Sequence, residues 1–131
     1  MSYAKARVLV VEDQKFTRMV LIDQLRTLGF STISEAEDGA DALKLLERYP
    51  FDLILLDIEM EPIDGLTFLS AFRNMNLVHP PKVIVLTSHS ETDIVFKVRS
   101  LGVDGFLLKP VQSPALAKRI DYVLRPKAQA V

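Results

Sequence analysis

The sequence predicts an α/β fold in which a doubly wound parallel sheet of five strands is covered by helices on both faces. Three observations predict it. Short apolar runs rich in branched residues recur along the chain, stretches with helical spacing separate them, and the two kinds of segment alternate five times. Such alternation is typical of β-α units joined by right-handed crossovers, which gives a (βα)5 domain.

Four of the predicted strands are continuous apolar runs, and a fifth is weaker. Continuous runs are expected where a strand is covered on both faces. They are Arg7–Val11, Asp52–Leu56, Lys82–Leu86 and Gly105–Leu108. The segment Ser31–Ala36 has the single central apolar residue Ile33, so we expect it nearer an edge of the sheet.

Five helices are predicted from apolar residues that repeat at helical spacing. Gly29 and Gly102 should end the first and the fourth, Pro50 the second, and Ser113 with Pro114 should open the fifth as its cap and first residue. The apolar triplets are Leu21, Leu25 and Leu28; Ala42, Leu46 and Tyr49; Leu66, Leu69 and Phe72; Ile94, Val98 and Leu101; and Leu116, Ile120 and Val123.

Length and composition limit the classes of protein. The chain has 131 residues, 49% hydrophobic and 25% charged, so we expect one domain over residues 1–131 with a core at about 7–125. A balance of 16 basic and 17 acidic residues argues against direct nucleic-acid binding. No cysteine is present, which excludes disulfides and thiolate metal sites. No apolar run approaches the roughly 20 residues of a membrane span, and the amino terminus is unlike a signal peptide, so we expect a cytoplasmic protein without membrane contact.

Polar residues follow the strands, where ligands bind in open α/β sheets. Glu12 and Asp13 follow the first strand, Asp57 ends the third, Thr87 follows the fourth and Lys109 the fifth. Three carboxylates brought together would repel each other, and a divalent cation such as Mg²⁺ would relieve that repulsion. A lysine and a hydroxyl beside the cation indicate a bound phosphoryl group.

Two further points bear on this interpretation. Glu12 and Asp13 alone could equally be solvated loop residues or helix caps, and the acids Glu35, Glu37 and Asp38 are interpreted as the start of the second helix. No glycine-rich nucleotide loop is present, so the phosphoryl group needs another anchor. A carboxylate nucleophile such as Asp57 can hold it covalently.

Five short motifs stand at strand ends in a fixed order, and together they span most of the chain. They are Val10-Val11-Glu12-Asp13-Gln14, Leu55-Leu56-Asp57-Ile58-Glu59-Met60, Asp64-Gly65, Leu86-Thr87-Ser88 and Phe106-Leu107-Leu108-Lys109-Pro110. With these motifs the sequence resembles a response-regulator receiver domain, the phosphoacceptor module of two-component signalling. The resemblance implies the flavodoxin-like strand order 2-1-3-4-5.

The resemblance also implies a role for each site residue. Asp57 would be the phosphorylated nucleophile, and Lys109 would pair with it and then with the phosphoryl oxygens. Asp13 and Asp57 would bind Mg²⁺ directly, Glu12 mainly through a water molecule, and Glu59 through its backbone carbonyl. The Lys109-Pro110 peptide bond would be cis.

A switch and an output surface are implied in the same way. Thr87 would move toward the phosphoryl group and Phe106 would swing inward. The face built from the fourth helix, fifth strand and fifth helix would meet a partner or a second copy of the chain.

Two positions depart from the family pattern. Glu61 stands where the family usually has proline, and Glu59 is an acid where many relatives are neutral. One hypothesis is that the side chains of Glu59 and His89 flank the phosphoryl group and set how fast water removes it. The alternative is that both are ordinary loop residues.

The function expected from the resemblance is a phosphorelay switch. Asp57 would accept a phosphoryl group from a histidine kinase or a histidine phosphotransfer protein with Mg²⁺, and the change would reach an unknown downstream protein. The chain would catalyse only its own phosphorylation and dephosphorylation. Two alternatives are an Mg²⁺-dependent phosphohydrolase, which would need a second aspartate at position 59, and a binding module that works without phosphorylation.

Overall fold

A computed structural model of the chain describes residues 3–59, 65–88 and 99–125. Its centre is a sheet of five strands in the order β2-β1-β3-β4-β5, and every neighbouring pair is parallel. This is the predicted fold and order. The strands are β1 (Arg7–Val11), β2 (Thr32–Ala36), β3 (Leu53–Asp57), β4 (Lys82–Thr87) and β5 (Gly105–Leu108).

Helices follow the strands as predicted. They are α1 (Lys15–Leu28), α2 (Gly39–Arg48), α3 (Gly65–Arg73) and the C-terminal helix (Ser113–Leu124). Helix α1 ends at Gly29, whose φ of 110° is a left-handed conformation that glycine adopts without strain. The predicted fourth helix, residues 94–101, lies mostly outside the described residues. Residues 99 and 100 are helical, and Gly102 follows with a φ of 76°.

The side chains of the central strands alternate between two apolar layers. Val8 and Val10 contact one layer, while Leu9 and Val11 contact the other. The first layer is contributed by α1 and the C-terminal helix, and the second by α2 and α3. Because β1, β3 and β4 are buried on both faces, their sequences are continuous apolar runs. Among the described residues, no helix is both long and apolar enough to cross a membrane.

Three local predictions are wrong. Strand β5 is not covered on both faces, because it lies at an edge of the sheet, and Leu108 is 50% exposed. Helix α2 ends at Arg48, so Tyr49 is outside it and packs its ring under the Arg7 guanidinium. Gln112, not Ser113, is the cap of the C-terminal helix, and the Ser113 hydroxyl instead accepts a hydrogen bond from Gln24 Nε2 at 3.0 Å.

Candidate functional site

The carboxyl ends of β1, β3, β4 and β5 form one edge of the sheet, where polar side chains are buried. The register places Val11 beside Leu56, and Asp57 beside Leu86, so residues that follow these strands become neighbours. Glu12 is 1% exposed, Asp57 2% and Thr87 0%. Buried polar groups need hydrogen-bonding partners, and their contacts therefore define the site.

Lys109 joins the two buried carboxylates. Its Nζ lies 3.0 Å from Glu12 Oε1 and 3.0 Å from Asp57 Oδ1. Its backbone N–H donates to the Thr87 carbonyl oxygen at 2.8 Å, which fixes it against the end of β4. The Lys109-Pro110 peptide bond is cis, as the resemblance implied. One ammonium therefore faces two carboxylates, and the pocket keeps an excess of negative charge.

This crowding changes the acid-base behaviour of the pocket. The pKa of Glu12 is raised to about 7, chiefly by burial and also by the nearby Asp57, while Lys109 opposes the shift. Burial alone would lower the pKa of Lys109. Its hydrogen bonds to Glu12 and Asp57, together with their charges, outweigh burial and raise that pKa above its ordinary value. The lysine therefore stays charged.

Glu12, Asp13 and Asp57 can hold a metal ion together. Each offers a carboxylate oxygen, and these oxygens all lie within 4.8 Å of one another. Asp13 is exposed, so an ion could reach the group from solvent. Several carboxylate oxygens around an excess of negative charge fit a hard divalent cation such as Mg²⁺. The predicted carbonyl ligand at Glu59 stays a prediction.

The Glu59 side chain contacts the end of β4. Thr87 Oγ1 donates to Glu59 Oε1 at 2.7 Å, and the Ser88 backbone N–H donates to the same oxygen at 2.8 Å. The Ser88 hydroxyl lies 2.9 Å from Oε1 and 2.8 Å from Oε2. The Glu59 backbone N–H meanwhile donates to Asp57 Oδ1 at 3.1 Å. His89 and Glu61 lie outside the described residues, so the paired hypothesis for Glu59 and His89 stays a prediction.

Sequence reasoning missed Arg18, a residue of α1 that is only 6% exposed. Its Nη1 donates to the Glu12 carbonyl oxygen at 2.7 Å, and its Nε lies 2.8 Å from Glu35 Oε1. Glu37 Oε1 is 3.7 Å from Nη2. One signal was available, because Arg18 shares the helical spacing of the buried Leu21 and Leu25.

The prediction that Glu35, Glu37 and Asp38 begin the second helix is only partly correct. Asp38 does cap α2, since its Oδ1 accepts the Asp41 backbone N–H at 2.8 Å. Glu35 instead belongs to β2, and Glu37 precedes the helix. Both acids face Arg18 because β2 pairs with β1 beside the start of α1.

Thr87 and Phe106 lie on neighbouring strands. Phe106 pairs with Val85 in the register and is partly buried against the apolar layer of α2 and α3. The predicted movement of Thr87 toward the phosphoryl group and the inward swing of Phe106 stay predictions.

A cavity of about 410 Å³ opens beside Lys109, between α1 and the segment that follows β5. Its apolar wall includes Phe16 and Val20 of α1 and also Pro110 and Val111. Phe16 is 79% exposed. An apolar surface of this kind next to buried charges is suited to contact with another molecule.

Comparisons with known proteins match one family. The family model of the response regulator receiver domain matches residues 8–121. The chain is 33% identical over 119 residues to a probable chemotaxis protein CheY of Rhizobium etli, covering 91% of this chain and 92% of that protein. It is 33% identical over 118 residues to the transcriptional regulatory protein PdtaR of Mycobacterium tuberculosis, covering 90% of this chain and 56% of that protein. The solved structure of the chemotaxis protein CheY4 of Vibrio cholerae is similar with a TM-score of 0.84 and 28% identity, covering 91% of this chain and 98% of that one.

Proposed function

Because this chain belongs to the response-regulator receiver family, we propose that it is a phosphoacceptor switch in which Asp57 takes up a phosphoryl group. Members of the family are signalling switches of two-component systems, and they interact with histidine kinases and downstream effectors. The observation that carries the proposal for this chain is the buried contact of Lys109 Nζ with both Asp57 and Glu12 at 3.0 Å.

The proposed reaction is a direct transfer. An oxygen of the Asp57 carboxylate attacks the phosphorus of a phosphohistidine, the new P–O bond forms as the P–N bond breaks, and the imidazole nitrogen keeps the electron pair. Lys109 then faces the phosphoryl oxygens as a point charge. Water later attacks the phosphorus, which releases inorganic phosphate and restores the carboxylate.

The acids of the site are proposed to hold Mg²⁺. Asp13 and Asp57 would bind it directly and Glu12 mainly through a water molecule, since their carboxylate oxygens lie within 4.8 Å of one another. The Glu59 backbone carbonyl would be a further ligand. When bound, the ion supplies positive charge next to the transferred phosphoryl group. The carboxylates themselves would repel other anions, and Lys109 keeps Asp57 oriented.

The phosphodonor is proposed to be a histidine kinase or a histidine phosphotransfer protein. Its imidazole must come within bonding distance of Asp57, so the donor must cover this edge of the sheet. The cavity beside Lys109 and the exposed ring of Phe16 offer apolar contact at that place. Such a donor would be charged from ATP, so we propose a cytoplasmic location for the chain.

The output is proposed to pass through the side of the sheet where β5 is the edge strand. The surface includes β5 and the C-terminal helix, where Leu108 is 50% exposed and Tyr122 63%. A downstream protein, or a second copy of this chain, would bind there. Residues 7–125 would then act as a single receiver unit.

The test is phosphorylation by a small donor. The chain is incubated with acetyl phosphate and Mg²⁺, and the intact mass is measured. Wild type should gain one phosphoryl unit and Asp57→Asn none, while Asp23→Asn, which changes an exposed aspartate of α1, should behave as wild type. A wild type that gains no phosphoryl mass contradicts the proposal.

A further inference from the structure

We propose that the Glu59 carboxylate is a built-in substitute for the phosphoryl group, held on the same donors until phosphorylation displaces it. The donors are the Thr87 hydroxyl, the Ser88 backbone N–H and the Ser88 hydroxyl, which together are called the β4-end donor site. The inference rests on the proposed function, since it concerns the anion that Asp57 would carry.

The contacts of Glu59 are those of a bound anion. The three donors of the β4-end donor site all lie 2.7–2.9 Å from its oxygens, and both oxygens take part. Hydrogen bonds from neutral donors to a carboxylate are shorter and stronger than neutral pairs. A solvated loop acid would not need such a set. The Glu59 carboxylate therefore occupies the β4-end donor site in the way that a bound anion would.

The location of the site makes it the place for a phosphoryl group on Asp57. Asp57 pairs with Leu86 across β3 and β4, so the residues after Leu86 lie at the same edge of the sheet as its carboxylate. The Glu59 amide also donates to Asp57 Oδ1 at 3.1 Å, which keeps the two acids close. A phosphoryl group on Asp57 would extend toward Thr87 and Ser88 on one side and Lys109 on the other.

Both anions cannot use this site at once. Each of the three donors has one hydrogen to give, and Glu59 accepts from all three. A phosphoryl group also repels a carboxylate at contact distance. Phosphorylation must therefore release Glu59 and transfer the buried Thr87 hydroxyl from one acceptor to the other.

Glu59 is exposed while Thr87 is fully buried, and this difference makes the exchange feasible. The released carboxylate can enter solvent at little cost. The Thr87 hydroxyl, by contrast, is buried, and a phosphoryl oxygen would accept the hydrogen that it now donates to Glu59. Glu59 thus holds Thr87 in its position in the unphosphorylated protein and lowers the rate of phosphorylation.

Two variants separate occupancy of the site from charge. Glu59→Ala removes the carboxylate, while Glu59→Asp keeps the charge but is one methylene too short to reach the β4-end donor site. Glu47→Gln, at an exposed position of α2, is the control for a general change in charge. The first readout is the Ser88 amide proton resonance in metal-free protein, and the second is the rate of phosphorylation by acetyl phosphate with Mg²⁺.

We expect the Ser88 amide proton to move upfield in both Glu59 variants and to stay in place in Glu47→Gln. Phosphorylation should be about tenfold faster in Glu59→Ala, the effect of losing one charged hydrogen bond, and severalfold faster in Glu59→Asp. An unmoved Ser88 resonance, or a Glu59→Ala rate equal to wild type, would overturn the inference. So would a faster Glu59→Ala with an unchanged Glu59→Asp, because charge alone would then explain the rate.

Failure of the proposed function would look different. In that case neither wild type nor Glu59→Ala would gain a phosphoryl group. The Ser88 resonance needs neither Mg²⁺ nor a phosphodonor, so it still reports whether Glu59 occupies the site.

Discussion

Arg18 Nη1 donates a 2.7 Å hydrogen bond to the backbone carbonyl oxygen of Glu12, so the first helix holds the segment from which the acids of the site project. The same guanidinium reaches Glu35 on the edge strand β2 at 2.8 Å. Arg18 therefore holds this segment through the backbone of Glu12, on the side away from strand β3.

Replacing this arginine should weaken both the fold and the metal site. Arg18→Met keeps the length of the side chain but leaves the Glu12 carbonyl without this donor. We expect a loss of about 1–3 kcal/mol in the free energy of unfolding, measured with urea, and weaker Mg²⁺ binding. Arg26→Met, at an exposed position of the same helix, should cost well under half as much. Equal losses in the two variants would contradict this role.

Stability should depend on pH through Glu12. Its pKa is raised from 4.5 to about 7 in the folded chain, so between these values the folded state holds a proton that the unfolded state has lost. Protonation therefore stabilises the fold below about pH 4.5, and this contribution is lost as the pH rises to about 7.

The corresponding measurement compares wild type with Glu12→Gln in metal-free buffer. The free energy of unfolding of wild type, relative to that of the variant, should fall across this pH window and level off above it. Titrating groups that do not interact with Glu12 cancel in the difference. A difference that is constant with pH, or that grows as the pH rises, would show that Glu12 titrates normally.

A methyl group at Gly65 should disturb the start of α3. A Cβ there would lie 2.5 Å from the Ile58 Cα, and the Gly65 amide donates to the Ile58 carbonyl at 3.1 Å. Because backbone atoms block the space, Gly65→Ala should lower the free energy of unfolding by about 1–3 kcal/mol.

Gly105→Ala is the matched control. Its Cβ would meet the Arg119 Cδ at 3.0 Å, the flexible part of a long side chain, and the buried Ile84 Cγ1 at 3.2 Å, which must shift slightly. Urea unfolding should show a smaller loss for this variant than for Gly65→Ala. If both substitutions lowered the free energy of unfolding equally, the close approach of the Gly65 position to the Ile58 backbone would not be the reason for the loss.

Phe106 can be tested with a fluorescent reporter, since the chain contains no tryptophan. In Phe106→Trp the indole replaces a partly buried ring on β5. If this ring moves inward on phosphorylation, its emission should shift to the blue after acetyl phosphate and Mg²⁺ are added. Thr87→Ala in the same background should abolish the shift, and Tyr122→Trp on the exposed face of the C-terminal helix should show none. An unchanged emission from phosphorylated Phe106→Trp would contradict the predicted switch.

Much of the fold could be predicted because β1, β3 and β4 are buried on both faces. Strands buried in this way consist almost entirely of apolar residues, which the sequence shows directly. The acids and Lys109 could be located because a parallel sheet brings the ends of its strands together. Periodicity could not show that β5 is an edge strand, because GFLL resembles a buried run whichever place it takes in the sheet.

The missed parts of the site depend on contacts between distant segments. Arg18 is a charged residue in a helix, which normally faces solvent. Its contacts with Glu35 and with the Glu12 carbonyl explain its burial. Glu59 could be placed near the phosphoryl group from its position after Asp57. Its hydrogen bonds with Thr87 and Ser88 depend on the register of β3 with β4, and a local sequence pattern does not determine that register.

The ion pair at the centre of the site joins Glu12 to Lys109, two residues 97 positions apart in the chain. A ribosome must therefore release nearly the whole domain before this pair can form. A cut anywhere between the two residues would leave Glu12 and Lys109 in separate pieces. The pair can therefore form within one chain only if that chain is intact from Glu12 to Lys109.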